Sequence, residues 1–349
     1  MEHMDIFAAL PDALLPWYEK NRRELPWRKD KDPYHIWVSE IMLQQTRVEA
    51  VKGYYTRFLQ TLPTIEALAG ADDDLLHKLW EGLGYYTRVR NLKKAAKVIM
   101  ERHGGVFPKT YDAVSALPGI GPYTAGAVCS IAYDLPTPAV DGNVLRVVSR
   151  LTDDTTPTDD PALRRKITRS LGEVYPERAG DFTQALMELG ATVCGPNRKP
   201  DCENCPCREV CLGCLRGTAE ALPVRKTKAR RREEDMTVFI LSCDGEYALR
   251  KRPNRGLLAG LWEFPHISGK LDASDAIAAV EEMGVKPSEI IRQVEKKHIF
   301  THIQWNMSGV YLKVKEKYPG LVWMDAQRIC QEAALPTAFR QFWEDVSHV

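Results

Sequence analysis

Apolar positions recur with a helical period up to about residue 190 and with a strand period beyond residue 235. Residues 5–20 predict one amphipathic helix. In the next apolar stretch Ile36, Trp37, Glu40, Leu43 and Gln44 fall on one helical face. Residues 50–79 predict two helices joined at Leu62, Pro63 and Thr64, and further helices are expected over 143–152, 161–175 and 181–190. Gly119 and Gly121 permit a tight turn, and Pro122 suits the first turn of a following helix. Strand patterns appear in MTVFILSC, EYALRKRP, HISG and WNMSGVYLKVK, with a helical stretch, DASDAIAAVEEMGV, among them. The expected fold class is therefore multidomain, an all-α domain followed by a smaller α/β domain. The expected boundaries are 1–217 for the helical domain, 218–235 for a linker and 236–349 for the α/β domain. The linker is basic through Arg225, Lys226, Lys228 and Arg230 to Arg232.

Composition changes this picture little. The 349 residues carry a net charge of +1, so any affinity for nucleic acid must come from local patches. No apolar run approaches a transmembrane span, and the N-terminus lacks a basic-then-apolar signal pattern. A cytoplasmic, nucleoid-associated location is the expectation. Of nine cysteines, six lie between 194 and 214. Such crowding implies metal or cluster binding in a reducing compartment rather than a disulfide framework.

Three stretches carry candidate chemistry. A carboxyl on an apolar stripe, as Glu40 would be, loses hydration, stays protonated near neutrality and suits a general acid. Read alone, it is first a glutamate at the edge of the stripe reaching solvent. Asp141, in Val140-Asp141-Gly142-Asn143, precedes a helix and reads alone as its N-cap, a role that leaves a second one open. The hairpin at 117–121 leaves backbone N–H groups free to seat a phosphate. Cys194-x7-Cys202-x2-Cys205-x5-Cys211 is a ligand pattern that by spacing alone also admits zinc.

The run LPGIGPY with Asp141 some twenty residues later resembles the helix-hairpin-helix of the endonuclease III superfamily, here over 111–133. LPWR followed by DPY, then EIMLQQT and WEGLGYY, resembles the adenine DNA glycosylases of the MutY type. That resemblance implies removal of adenine mispaired with 8-oxoguanine or guanine in duplex DNA by a monomer. It implies Glu40 as the acid and Asp141 as the group that stabilises the positive sugar, with Tyr123 and Asn143 positioning. Endonuclease III-type lyases have a lysine where this chain has Tyr123; a phenol forms no imine, so the implied enzyme is monofunctional. Leu43, Gln45, Thr46 and Tyr85 would meet the lesion and the vacated stack, with Gly119 and Gly121 on the backbone. Arg23, Trp27 and Gln184 would line the base pocket. The basic run Arg88, Arg90, Lys93, Lys94 and Lys97 fits a DNA-facing helix start, and Arg198 and Lys199 could contact phosphates. For the cysteines the resemblance implies a [4Fe–4S] cluster on Cys194, Cys202, Cys205 and Cys211. The family's first gap is six residues and here it is seven, with Cys207 and Cys214 close by.

GLLAGLWEFP resembles the Nudix fold. Its metal-binding box is incomplete: Glu281 and Glu282 remain, but the Arg-Glu pair falls at Ile277 and Ala278, and an earlier glutamate at Gly269. Phe300-Thr301-His302 resembles the Phe-Ser-His loop through which the MutY C-terminal domain recognises 8-oxoguanine, with threonine for serine. Three rivals follow from these features: a lyase, which needs the absent lysine; a Nudix hydrolase, which needs the missing box; and a DNA-binding module without catalysis.

Overall fold

A computed structural model describes residues 3–196, 198–226 and 230–346, with side chains from residue 6 onward. Lys228 of the basic segment lies outside the described residues. In chain order the elements are α1 (His3–Ala8), α2 (Leu10–Asn21), α3 (Pro33–Leu43), α4 (Val48–Thr61), α5 (Ile65–Gly70), α6 (Asp73–Leu79), α7 (Thr87–His103), α8 (Tyr111–Ser115), α9 (Pro122–Tyr133), α10 (Gly142–Leu151), α11 (Pro161–Gly172), α12 (Ala179–Thr192) and α13 (Leu212–Leu215). Then follow β1 (Arg232–Cys243), β2 (Glu246–Lys251), β3 (Trp262–Glu263), β4 (His266–Ser268), α14 (Ala273–Glu282), β5 (Pro287–Ile299), β6 (Ile303–Val314), β7 (Val322–Asp325), α15 (Ala326–Glu332) and α16 (Thr337–Val346). Among the described residues no helix is long and apolar enough to cross a membrane.

Two compact units form, Met1–Gly70 with Asn91–Thr227, and Ala71–Arg90 with Lys228–Val349. This corrects the expected 1–217 helical block, because α6 and the bend after it group with the sheet. The contacts are specific: Lys78 donates to Ala333 O at 3.1 Å, and Leu335 N donates to Glu81 Oε1 at 3.0 Å. The sheet also starts inside the stretch expected to be linker, since β1 pairs with β6 from Arg232 opposite Ile303 onward. At its other end that stretch packs: Ala219 and Leu222 are buried, and Leu222 O accepts from Arg150 Nε at 2.9 Å.

Local chemistry explains further departures. The expected 5–20 helix is two, because Pro11 opens a new helix where its missing N–H is no loss. The stretch 50–79 holds three helices, the last begun by Asp72 accepting from Asp74 N at 2.8 Å. Arg88 is not a DNA-facing base. It is buried, lies over Trp80 and donates to Leu83 O at 2.9 Å and Gly84 O at 3.0 Å, holding the bend shut.

The first unit's core joins α1, α2, α10, α11 and α12 through Ile6, Leu10, Leu14, Val144, Val148, Leu163, Phe182 and Leu186. In the second unit the strand order is β3-β2-β1-β6-β5, with β4 on β1 and β7 on β2. β1 and β6 run parallel while β5 and β6 form an antiparallel hairpin. Alternation along β1 sends Val238 and Ile240 to one core and Phe239 and Leu241 to the other. α16 covers the first face through Phe339, Phe342 and Trp343, and α14 covers the second through Ala276 and Val280. β5 and β7 were not expected. β5 alternates half-buried and exposed residues with no continuous apolar face, and its pairing with β6 makes it a strand.

Gly119 anchors the hairpin between α8 and α9. Its φ is +77°, and a Cβ there would lie 2.5 Å from Asn91 Cβ. Gly119→Ala is expected to lower stability by about 2 kcal/mol or more, from the left-handed backbone and the overlap together. Thermal unfolding of the variant checks it.

Candidate active site

Three helix starts build the site in the first unit. α3 begins at Pro33 behind Asp32, whose carboxylate accepts from Tyr34 N at 2.8 Å. With its start set there, the helix buries Ile36, Trp37, Ser39 and Glu40, and Glu40 is 5% exposed. α9 starts behind Gly121 with Pro122 in its first turn, and Tyr123 follows. The Tyr123 hydroxyl donates to Glu40 Oε2. α10 starts behind Asp141, whose Oδ1 accepts from Val144 N at 2.7 Å and whose Oδ2 accepts from Asn143 Nδ2 at 2.7 Å. Asn143 Oδ1 in turn accepts from Arg146 at 2.9 Å. α12 presses on this start, since a Cβ on Gly190 would lie 2.8 Å from Asn143 Cβ.

All four groups line one cleft of about 1000 Å³, together with Arg23, Trp27, Leu43, Gln45, Thr46, Gly121 and Gln184. Eleven residues singled out from the sequence thus meet in one place. Trp27 is buried edge-on against Tyr55 at 5.5 Å and still lines the cleft. Gln45 is exposed in the left-handed backbone region with φ +59°, a strained state for a residue with a side chain.

Burial raises the Glu40 carboxyl to about 7; the Tyr123 hydroxyl opposes this, Asp141 adds to it and Arg28 opposes it. Burial also raises Asp141, against the Val144 N–H, the Asn143 amide and Arg146. Tyr123 is pushed well above its ordinary value by burial and by the two carboxyls. Of the two acids, Asp141 has the larger set of donors and is the better seat for a negative charge.

Glu188 and Arg28 of this cleft form a charge cluster that was not singled out from the sequence. Glu188, with a fully buried side chain, accepts from Arg23 Nε at 2.6 Å and from Arg28 at 2.7 Å. Burial raises its carboxyl, but the two arginines outweigh this and hold it below the usual range. The available signal was spacing: Glu188 is one helical turn beyond Gln184.

The other expected residues lie elsewhere. In the second unit Tyr85, Phe300, Thr301 and His302 line a recess of about 460 Å³. Phe300, Thr301 and His302 form the tip of the β5–β6 hairpin, closed by Phe300 N donating to Ile303 O at 2.8 Å. The Phe300 ring packs on His298 at 4.5 Å and Trp305 at 4.8 Å, while Thr301 and His302 are exposed. Tyr85 is 50% exposed with φ +48°, and its hydroxyl is 3.0 Å from Thr301 Oγ1. Gly119 shapes the hairpin without lining the cleft. Arg198 and Lys199 are partnered, by Thr192 O and Glu220 respectively.

Cys194, Cys202, Cys205, Cys211 and Cys214 line one recess with Val147, Leu151 and Leu189. Cys207 is fully buried in the apolar core. Burial raises the Cys194 thiol overall, and Arg150 Nη1, 3.2 Å from its Sγ, acts against this. Among the described residues no three His, Cys, Asp or Glu side chains close on a single metal ion. Thiols spread around a recess fit a cluster that takes one thiolate per iron.

A family model described as HhH-GPD superfamily base excision DNA repair protein matches residues 38–172, and a NUDIX domain model matches residues 236–345. The adenine DNA glycosylase of Mus musculus is 36% identical, covering 95% of this chain and 77% of its own length. That of Schizosaccharomyces pombe is 35% identical over 84% of this chain and 79% of its own. Among solved structures a thermostable thymine-DNA glycosylase is similar with a TM-score of 0.55 and 28% identity, covering 61% of this chain and 98% of that one. A non-covalent endonuclease III–DNA complex shares the helical fold with a TM-score of 0.53 and 22% identity over 62% of this chain and 98% of that one. With a relative this similar along nearly its whole length, the chain belongs to the adenine DNA glycosylases, base-excision repair enzymes that act on N-glycosyl bonds in DNA.

Proposed function

We propose that this enzyme hydrolyses the glycosidic bond of adenine mispaired with 8-oxoguanine, or with guanine, without lyase chemistry. The observation that carries the reading is the cleft that brings together a buried Glu40, bonded by the Tyr123 hydroxyl, and Asp141. Adenine leaves the stack and enters the cleft. Glu40 protonates the base, at N7, so that it departs neutral. Asp141 stays ionised and stabilises the positive sugar, as the second carboxylate of a glycoside hydrolase does. Asn143 and the Val144 N–H hold Asp141; Tyr123 holds Glu40. With a phenol at position 123, water takes the role that an amine would have. Arg23, Trp27 and Gln184 enclose the base, while Leu43, Gln45 and Thr46 meet the duplex. The hairpin of Gly119 and Gly121 seats a phosphate. Cys194, Cys202, Cys205 and Cys211 hold a [4Fe–4S] cluster, which when bound stiffens and positions this loop and supplies no redox step to hydrolysis. The enzyme acts as a monomer near the nucleoid.

Single-turnover excision tests the reading, on duplexes with adenine opposite 8-oxoguanine and opposite thymine, with and without alkali after quenching. Strand cleavage only after alkali and only on the lesion duplex is the expected result. Breakage without alkali would mean lyase chemistry, and lesion-selective binding without excision would leave only a binding module.

In the second unit Phe300, Thr301, His302 and Tyr85 read the oxidised base. Thr301→Val keeps the shape and removes the hydroxyl. It is expected to lower the preference for 8-oxoguanine over guanine opposite adenine by roughly five- to tenfold, the worth of one hydrogen bond. The ratio of single-turnover rates on the two duplexes at limiting enzyme measures this.

A further inference from the structure

We propose that Lys78 and Glu81 are positioning residues of the second unit, a latch that holds the Tyr85 hydroxyl against Thr301 and so sets the preference for 8-oxoguanine over guanine. The inference deepens the reading of the recess given above and rests on it. Tyr85 stands in a bend where Gly82, Gly84 and Tyr85 itself have φ of +98°, +69° and +48°. For a tyrosine this is strained backbone, which persists only where its surroundings fix it. Trp80 Nε1 donates to Gly84 O at 3.1 Å, and Arg88 donates to Leu83 O and Gly84 O. These bonds are internal to the bend, so they set its shape and not its position.

Position comes from the residues just before it. Lys78 and Glu81 pair at 2.7 Å, with side chains 23% and 14% exposed. Lys78 Nζ donates to Ala333 O at 3.1 Å and lies 3.5 Å from Ile329 O, at the C-terminus of α15, where a cation is favoured. Glu81 Oε1 accepts from Leu335 N at 3.0 Å, and Leu335 is buried. A buried N–H that loses its acceptor costs more than a broken surface pair. Both ends of this bond adjoin the recess. Glu81 directly precedes Gly82, and Leu335 directly precedes Pro336 and Thr337, all of which line the recess with Tyr85 and Thr301. The bond between Glu81 and Leu335 thus joins two of the segments that wall it. Two other ties are weaker: the pair of Lys251 with Asp74 is half-exposed on both sides, and Arg90 Nη1 reaches Ala259 O at 3.3 Å. The Tyr85 hydroxyl lies 3.0 Å from Thr301 Oγ1, a contact that tolerates little displacement of the bend.

Single-turnover excision of adenine opposite 8-oxoguanine and opposite guanine, with the full-length protein, tests this. Glu81→Ala should lower the ratio of the two rates as Thr301→Val does, by roughly five- to tenfold, and leave the rate opposite guanine unchanged. Glu81→Gln keeps an oxygen for Leu335 N and should restore the ratio. Added to Thr301→Val, Glu81→Ala should lower the ratio no further, because both act through one pair of hydroxyls. Asp272→Ala removes the cap of α14, on the sheet face away from α16; it controls for lost stability and should keep the ratio. Should Glu81→Ala not fold, Lys78→Met replaces it, with the same expectation alone and in the double variant. Rates that fall in step on both duplexes, an additive loss in the double variant, an equal loss in Asp272→Ala, or an unchanged ratio where Thr301→Val lowers it would each overturn the latch. A Thr301→Val ratio equal to wild type would instead refute the reading of the recess on which the latch rests.

Discussion

Glu40→Gln is expected to lower adenine excision by about 10²- to 10⁴-fold, the usual worth of a positioned general acid, while lesion binding persists. Glutamine keeps the shape and the acceptor for the Tyr123 hydroxyl but has no proton to give at this acidity. The wild-type enzyme should carry a matching pH signature. The Glu40 carboxyl titrates at about 7, raised chiefly by burial, so the protonated, active form dominates below that value. Single-turnover excision should fall by about tenfold per pH unit above it. The same shift acts on stability. Glu40 binds its proton more tightly in the folded state, so its contribution is fully present below its ordinary value of 4.5 and is lost as pH rises through about 7. Well above 7 the loss is on the order of 3 kcal/mol. Glu40→Gln does not ionise. Its stability relative to wild type should therefore rise with pH, as urea unfolding at several pH values would show. Excision that survives in the glutamine variant would remove Glu40 from the acid's role.

Asp141→Asn is expected to lower excision by about 10³-fold or more, because an uncharged amide cannot stabilise a cationic sugar. The variant separates the cap that the structure gives Asp141 from the charge-stabilising role proposed for it. Asp141 caps α10 through Val144 N, and asparagine caps helices about as well as aspartate. Asp141→Asn should therefore melt near wild type while losing activity. Asp141→Ala should lose activity and about 1 kcal/mol of stability besides. If the asparagine variant lost stability and kept excision, Asp141 would be a cap alone. Paired melting and single-turnover measurements on the two variants decide it.

How far the site could be read from the sequence depended on the range of each interaction. Glu40, Tyr123 and Asp141 each sit at or near a local signal: an apolar stripe, a glycine turn before a proline, a residue ahead of a helix. Glu188 does not. It is joined to Arg23 and Arg28 across 165 and 160 residues, and nothing near Glu188 announces arginines so far away. Arg88 shows the opposite failure. In a basic run it reads as facing DNA, yet a bend closing over it buries its guanidinium among carbonyls.

By itself the sequence determined what is local: the helical and strand periods, the hairpin between α8 and α9, the cap at Asp141, the phenol in place of a lysine and the crowding of the cysteines. These follow from side-chain spacing and backbone preference, which act within a few residues. Tertiary structure alone decided the rest. It assigned Ala71–Arg90 to the unit with the sheet, made β5 and β7 strands through their partners, and turned Cys214 toward the recess while burying Cys207. It also raised Glu40 to about 7, because desolvation is set by everything packed around a carboxyl and not by its neighbours in the chain.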